Sequence, residues 1–214
     1  MLFFAHTGIT LGVAELLSSV ARRRSRPVTG HGAVLSPDDP PETEVATLDP
    51  RVAEPVETRP EAAWQLDYRV VLVGSLLPDI IDKPLGTTIL RDFISNGRII
   101  SHTLVAAIAM WLAAAQLFLR RGRTWGLGLA LGSLVHIALD QMWREPETLL
   151  WPLLGWRFPR HGMSGWLTKV LRSMFTNPHD YVADIAGALI LVRFGFRLAR
   201  QRQIRAFMKH GRAG

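Results

Sequence analysis

Gly132-Ser-Leu-Val-His136-Ile-Ala-Leu-Asp140 is the stretch whose reading decides the fold. It lies in an apolar run from about Trp125 to Met142, long enough and continuous enough to form a helix. At 3.6 residues per turn, His136 and Asp140 stand one above the other on one face, so an imidazole nitrogen and a carboxylate oxygen can meet at one point. An i, i+4 pair of this kind is a common way for a helix to offer two metal ligands. A His and an Asp also fall at this spacing by chance. The pair gains weight because other apolar segments carry His or Asp at their matching ends.

Working outward, the 214 residues contain no cysteine, which excludes a disulfide framework and a thiolate metal site. Any metal must be held by His, Asp and Glu. The net charge of +7 conceals a division. Between Pro27 and Asp67 nine acids face only Arg51 and Arg59, leaving −7 there and +14 elsewhere. The basic residues cluster beside apolar runs: Arg22, Arg23, Arg24 and Arg26; Arg120, Arg121 and Arg123; Arg197, Arg200, Arg202 and Arg205. That is the positive-inside pattern of a membrane protein, not the aromatic-interleaved stripe of a nucleic-acid binder, so no nucleic-acid partner is expected. The bilayer is the expected partner.

The sequence divides into five parts. Residues 1–26 are a first membrane helix and its basic flank, and 27–67 an acidic, Pro-rich stretch expected to be a disordered linker. Residues 68–142 are a helical core, 143–178 a Trp-rich interfacial loop, and 179–214 a last membrane helix with a basic tail. The run Arg69 to Asp82 is short for a full span of about 20 residues, and Pro78 is expected to bend or end it, with Asp79 and Asp82 at its exit. The fold expected is all-α: an integral membrane bundle of about four to five helices. With the Arg clusters in the cytoplasm, alternating spans bring His6, Asp79, Asp82, His102, His136, Asp140, His179, Asp180 and Asp184 to the non-cytoplasmic end. Asp180 suits helix-dipole compensation, and Asp184 a place behind the ligands. Imidazoles and carboxylates together suit zinc, manganese or iron, and six ligands leave room for one ion or two.

At these motifs the chain resembles the YdjM-like family of bacterial membrane-bound, metal-dependent hydrolases. The matching pieces are Ala5-His6-Thr7, Leu77-Pro78-Asp79-Ile-Ile-Asp82, Ser101-His102-Thr103-Leu104, and His136-Ile-Ala-Leu-Asp140 followed by Leu150-Trp151-Pro152. That family is distantly similar to zinc-dependent phospholipase C and its related nucleases. The resemblance implies hydrolysis of a phosphoester or related ester by metal-activated water, an inner-membrane location and a zinc-type cofactor. It gives candidate ligand roles to His6, Asp79, His102, His136 and Asp140, with Asp82 and Asp184 as further candidates. The usual Pro-Asp-x-Asp-His piece is altered here by one inserted residue and by Lys83 after Asp82. Arg98, in Asn96-Gly97-Arg98, and His161, in Pro-Arg-His-Gly, are the residues expected to face a substrate, with Arg98 suited to an anionic oxygen. A lipid or envelope-derived ester is the substrate expected at membrane level. The rival readings are a metal-ion transporter or sensor, and a non-catalytic membrane scaffold with a structural metal.

Overall fold

The computed structural model describes residues 3–24, 66–89, 96–159 and 176–211, together with Thr168 and Arg172. Among them are seven α-helices and no strand, the all-α fold expected. The helices are α1 (Thr10–Arg24), α2 (Tyr68–Pro84), α3 (Leu104–Arg121), α4 (Trp125–Leu139), α5 (Pro146–Leu149), α6 (Pro178–Arg200) and α7 (Ile204–His210). A π-helical turn, Ala5–Ile9, runs directly into α1; a second, Leu85–Ile89, extends α2. The acidic stretch expected to be a linker lies, as far as residue 65, outside the described residues.

Local signals set the helix ends. Asp67 caps α2, its carboxylate accepting from the Arg69 N–H at 3.0 Å. Thr103 caps α3 by accepting from Ala106 N–H at 3.1 Å, and Gly122, left-handed at φ 63°, ends that helix. Asn177 caps α6 with Pro178 in the first turn. α4 ends at Leu139, a little earlier than the apolar run. Asp140 stays in helical register because its N–H still reaches the His136 carbonyl at 2.9 Å.

One expectation is corrected. α2 does not end at Pro78 but continues to Pro84. Pro78 has no N–H to offer the Gly74 carbonyl four residues earlier. The Ser133 hydroxyl on α4 donates to that carbonyl at 3.0 Å, so the freed acceptor is satisfied from the neighbouring helix.

α2 and α4 form the most extensive helix pair. Their backbones touch where glycines face each other: a Cβ built on Gly132 would lie 2.6 Å from Gly74 C and Ser75 N, and one on Gly74 would lie 2.5 Å from Leu129 O. Small residues are what allow helices to approach so closely in a membrane. A second such crossing joins Gly8 of the first π turn to Gly187 of α6. Away from the site, Leu11, Ala14, Tyr68, Val71, Phe194 and Leu198 form an apolar core linking α1, α2 and α6. Glu15, deep in α1, pairs with Arg197 of α6.

α3 buries only Ala107 and Ala114, while Leu104, Val105, Ile108, Leu112 and Leu119 are exposed. Such an apolar exterior suits a helix whose solvent is hydrocarbon. Among the described helices α3 is the one both long and apolar enough to cross a membrane; α4 is apolar but has 15 residues. α1 and α2 are shorter than a full crossing of about 20 residues, and α6 carries Asp184 and Arg193 within its length.

Candidate metal centre

Five side chains from four elements converge beside the α2–α4 contact. They are His6 from the first π turn, Asp79 from α2, His102 from a 3-10 turn (Ile100–His102), and His136 and Asp140 from α4 and its cap. His102 and His136 are fully buried.

The orientation of both rings is fixed from behind. His136 Nδ1–H donates to the Ser75 carbonyl at 2.6 Å, on α2 one residue from the glycine contact. His102 Nδ1–H donates to Asp82 Oδ2 at 2.7 Å. Asp82 is itself fully buried and accepts the backbone N–H groups of Ile99 (2.8 Å) and Ser101 (3.0 Å). A carbonyl and an ionised carboxylate can only accept, so each Nδ1 carries a proton, and in the neutral ring each Nε2 is left with a lone pair. Those two Nε2 atoms face each other at 3.3 Å. Two bare lone pairs at that separation repel. The arrangement requires a positive charge between or beside them, either a proton or a cation.

Carboxylates surround the same point. Asp79 Oδ1 stands 3.8 Å from His136 Nε2 and 3.9 Å from His102 Nε2. Asp140 Oδ2 lies 4.0 Å and 3.8 Å from the same two atoms. The His6 ring stacks on His136 with centroids 4.1 Å apart, and its Nε2 meets Asp140 Oδ1 at 3.2 Å. With that N–H given to Asp140, His6 Nδ1 is a further bare nitrogen, buried and without a hydrogen-bond partner. Two overlapping ligand triads result, His6–His136–Asp140 and Asp79–His102–His136, with the ligand atoms of each within 4.8 Å of one another.

The donor set fits a divalent metal. It is all imidazole and carboxylate, the ligands favoured by zinc, manganese and iron in a site without thiolates. Charge agrees: among the described residues the carboxylates of Asp79, Asp82, Asp140 and Glu145 gather here, with Lys83 on Asp79 and Arg98 on Asp140 and Glu145. Arg98 donates from Nε to Asp140 Oδ2 at 2.9 Å and from Nη1 to Glu145 Oε1 at 2.8 Å. Burial works against its charge, but the facing carboxylates of Asp140 and Glu145 outweigh burial and hold the guanidinium above its ordinary range.

The remaining residues singled out from the sequence have these places. Asp82 stands behind His102, with both oxygens engaged, and is not among the converging ligand atoms. Asp184 accepts the Ala5 N–H at 2.9 Å, which holds the π turn that presents His6. A π turn shifts the register of the residues after it, and such turns are frequent at functional sites. His179 lies exposed against the Gln141 amide, and Asp180 interacts with the Asn177 cap; neither enters the cluster. His210 is exposed on α7. His161 lies outside the described residues. Sequence reasoning missed Glu145, Ser75 and Ser133. The spacing Gly128-Leu-Ala-Leu-Gly132 was the available signal for the close helix contact that brings the two serines into play.

No curated protein and no solved structure matches this chain, so the likeness to phospholipase C has only the short motifs behind it. A family model does match, over residues 49–204, which take in Asp79, Asp82, His102, His136 and Asp140. The chain belongs to the YdjM inner membrane protein family, and with it to the inner membrane.

Proposed function

We propose that the protein is a membrane-bound hydrolase that cleaves an ester, with a phosphoester the first choice, using one divalent ion held among His6, Asp79, His102, His136 and Asp140. The observation that carries this reading is the pair of Nε2 atoms facing each other at 3.3 Å, each ring held by a hydrogen bond behind it and bordered by Asp79 and Asp140. When bound there, a divalent ion would supply Lewis acidity and the means to activate water near neutral pH. One ion is favoured over two because His136, with Nδ1 tied to Ser75, has a single nitrogen to give to both triads.

The chain's own residues then have distinct tasks. Asp82 and the Ser75 carbonyl keep the two central rings in the ligating tautomer. Asp140 is shared between the centre and Arg98, whose remaining Nη2 edge is turned to a substrate. The cluster is closed on the α2–α4 side by the glycine contact, which speaks against an ion pathway running through it. Exposed Ile80, Ile81 and Trp143 flank the acids in sequence and suit a substrate drawn from a membrane surface.

Purified protein should hydrolyse a phosphoester panel, lose that activity on chelation and regain it with zinc. Metal-loaded protein inert towards phosphoesters and neutral esters alike would sink the hydrolase reading and leave a structural or transport role.

The site end is proposed to face away from the cytoplasm, on the positive-inside argument. Since the chain has no cysteine, single cysteines can report this directly. Leu153→Cys, on an exposed position beyond α5, should react with an impermeant maleimide in intact cells; Arg123→Cys, between α3 and α4, should react only after the membrane is opened. The reverse pattern would put the site in the cytoplasm.

A further inference from the structure

Burial around the metal centre is graded, and the gradient marks its open side. The side chains of His102, His136 and Asp82 are fully buried and Asp140 is 6% exposed, whereas Asp79 is 20%, Glu145 27%, Arg98 34% and Lys83 54% exposed. Two of the four outward groups are cations. Lys83, one turn beyond Asp79 on α2, donates from Nζ to Asp79 Oδ2 at 2.6 Å. The other oxygen of that carboxylate, Oδ1, faces His102 and His136. Arg98 binds Asp140 on Oδ2, the oxygen that itself faces His102 and His136. Each cation is thus attached to a carboxylate that borders the pair of bare nitrogens, and both lie on the side from which a substrate can approach.

We propose that Lys83 is a substrate-binding residue and that, with the Nη2 edge of Arg98, it selects esters bearing a phosphate oxyanion. This rests on the metal-centre reading above. The physical case is that an exposed ion pair such as Lys83–Asp79 is only weakly held, so an incoming anion can compete with Asp79 for the ammonium. An ammonium and a guanidinium beside one centre suit the spread of charge on a phosphate better than a neutral acyl group.

The test uses full-length, zinc-loaded protein in detergent and measures calorimetric binding of inorganic phosphate. Lys83→Gln should weaken phosphate binding by about tenfold or more with zinc content unchanged, and Lys83→Arg should retain most of it. Soluble glycerol 3-phosphate and phosphatidate in nanodiscs should show the same loss, and whichever binds wild type more tightly names the source of the phosphate group. Equal phosphate binding with and without Lys83 overturns this inference while leaving the hydrolase reading intact. Loss of zinc in Lys83→Gln also overturns it, by showing that Lys83 acts through Asp79. Wild-type protein that takes up no zinc overturns both readings together.

Discussion

His136→Ala should strip the centre of its metal, lowering affinity by more than about 100-fold, because even residues behind the ligands typically contribute about 10–100-fold. The residue enters both ligand triads, so no alternative set survives its loss. Its ring is fully buried, and the groups that face it, His6, His102, Asp79 and Asp140, already belong to the ligand set. Asp82→Asn is the graded companion. It leaves every converging ligand atom in place but removes the charge that holds the His102 N–H and two backbone N–H groups. A loss of about 10–100-fold in zinc affinity is expected, in a protein that still inserts and folds. Equilibrium dialysis with zinc would check both. Wild-type affinity in His136→Ala would refute the site assignment, and an Asp82→Asn protein as defective as His136→Ala would make Asp82 a ligand.

Gly132→Leu should have the largest effect on stability. The new side chain would start from a Cβ only 2.6 Å from the Gly74 and Ser75 backbone, which has no rotamer with which to yield. Overpacking of this kind costs about 1–3 kcal/mol where neighbours can move, and here the α2–α4 pair must separate. The same separation pulls the Ser75 carbonyl from His136 and the Ser133 hydroxyl from Gly74. Thermal unfolding in detergent should therefore show a lower Tm together with loss of zinc. Gly195→Ala is the control: nothing lies within 4 Å of a Cβ there, and alanine is the better helix former. Equal Tm values for the two variants would mean that the helix contact is looser than described.

What the sequence made legible, and what it did not, follows from the range of the forces involved. The pairing of His136 with Asp140 is a property of one helix, and the spacing alone places both on one face. Convergence of His6, Asp79 and His102 on that pair was readable because charge clusters order the ends of apolar segments. That the helix runs on past Pro78 was not readable because it depends on another segment: a serine 55 residues later in the chain, Ser133, donates to the carbonyl that the proline frees. Asp82 shows the same boundary. Composition marks it as a ligand type, but only the fold reveals that Ile99 and Ser101 N–H groups and His102 occupy its oxygens. Arg98 was readable as an anion partner, whereas its sharing between Asp140 and Glu145 was not.

The central claim is that two imidazoles with bare nitrogens 3.3 Å apart, bordered by Asp79 and Asp140, hold one divalent ion. Elemental analysis of purified protein after zinc supplementation and removal of excess measures this most directly, with a His102→Ala, His136→Ala double variant alongside. The account predicts one zinc per wild-type chain and none in the double variant; a metal-free wild type, or a double variant that keeps its zinc, would contradict it.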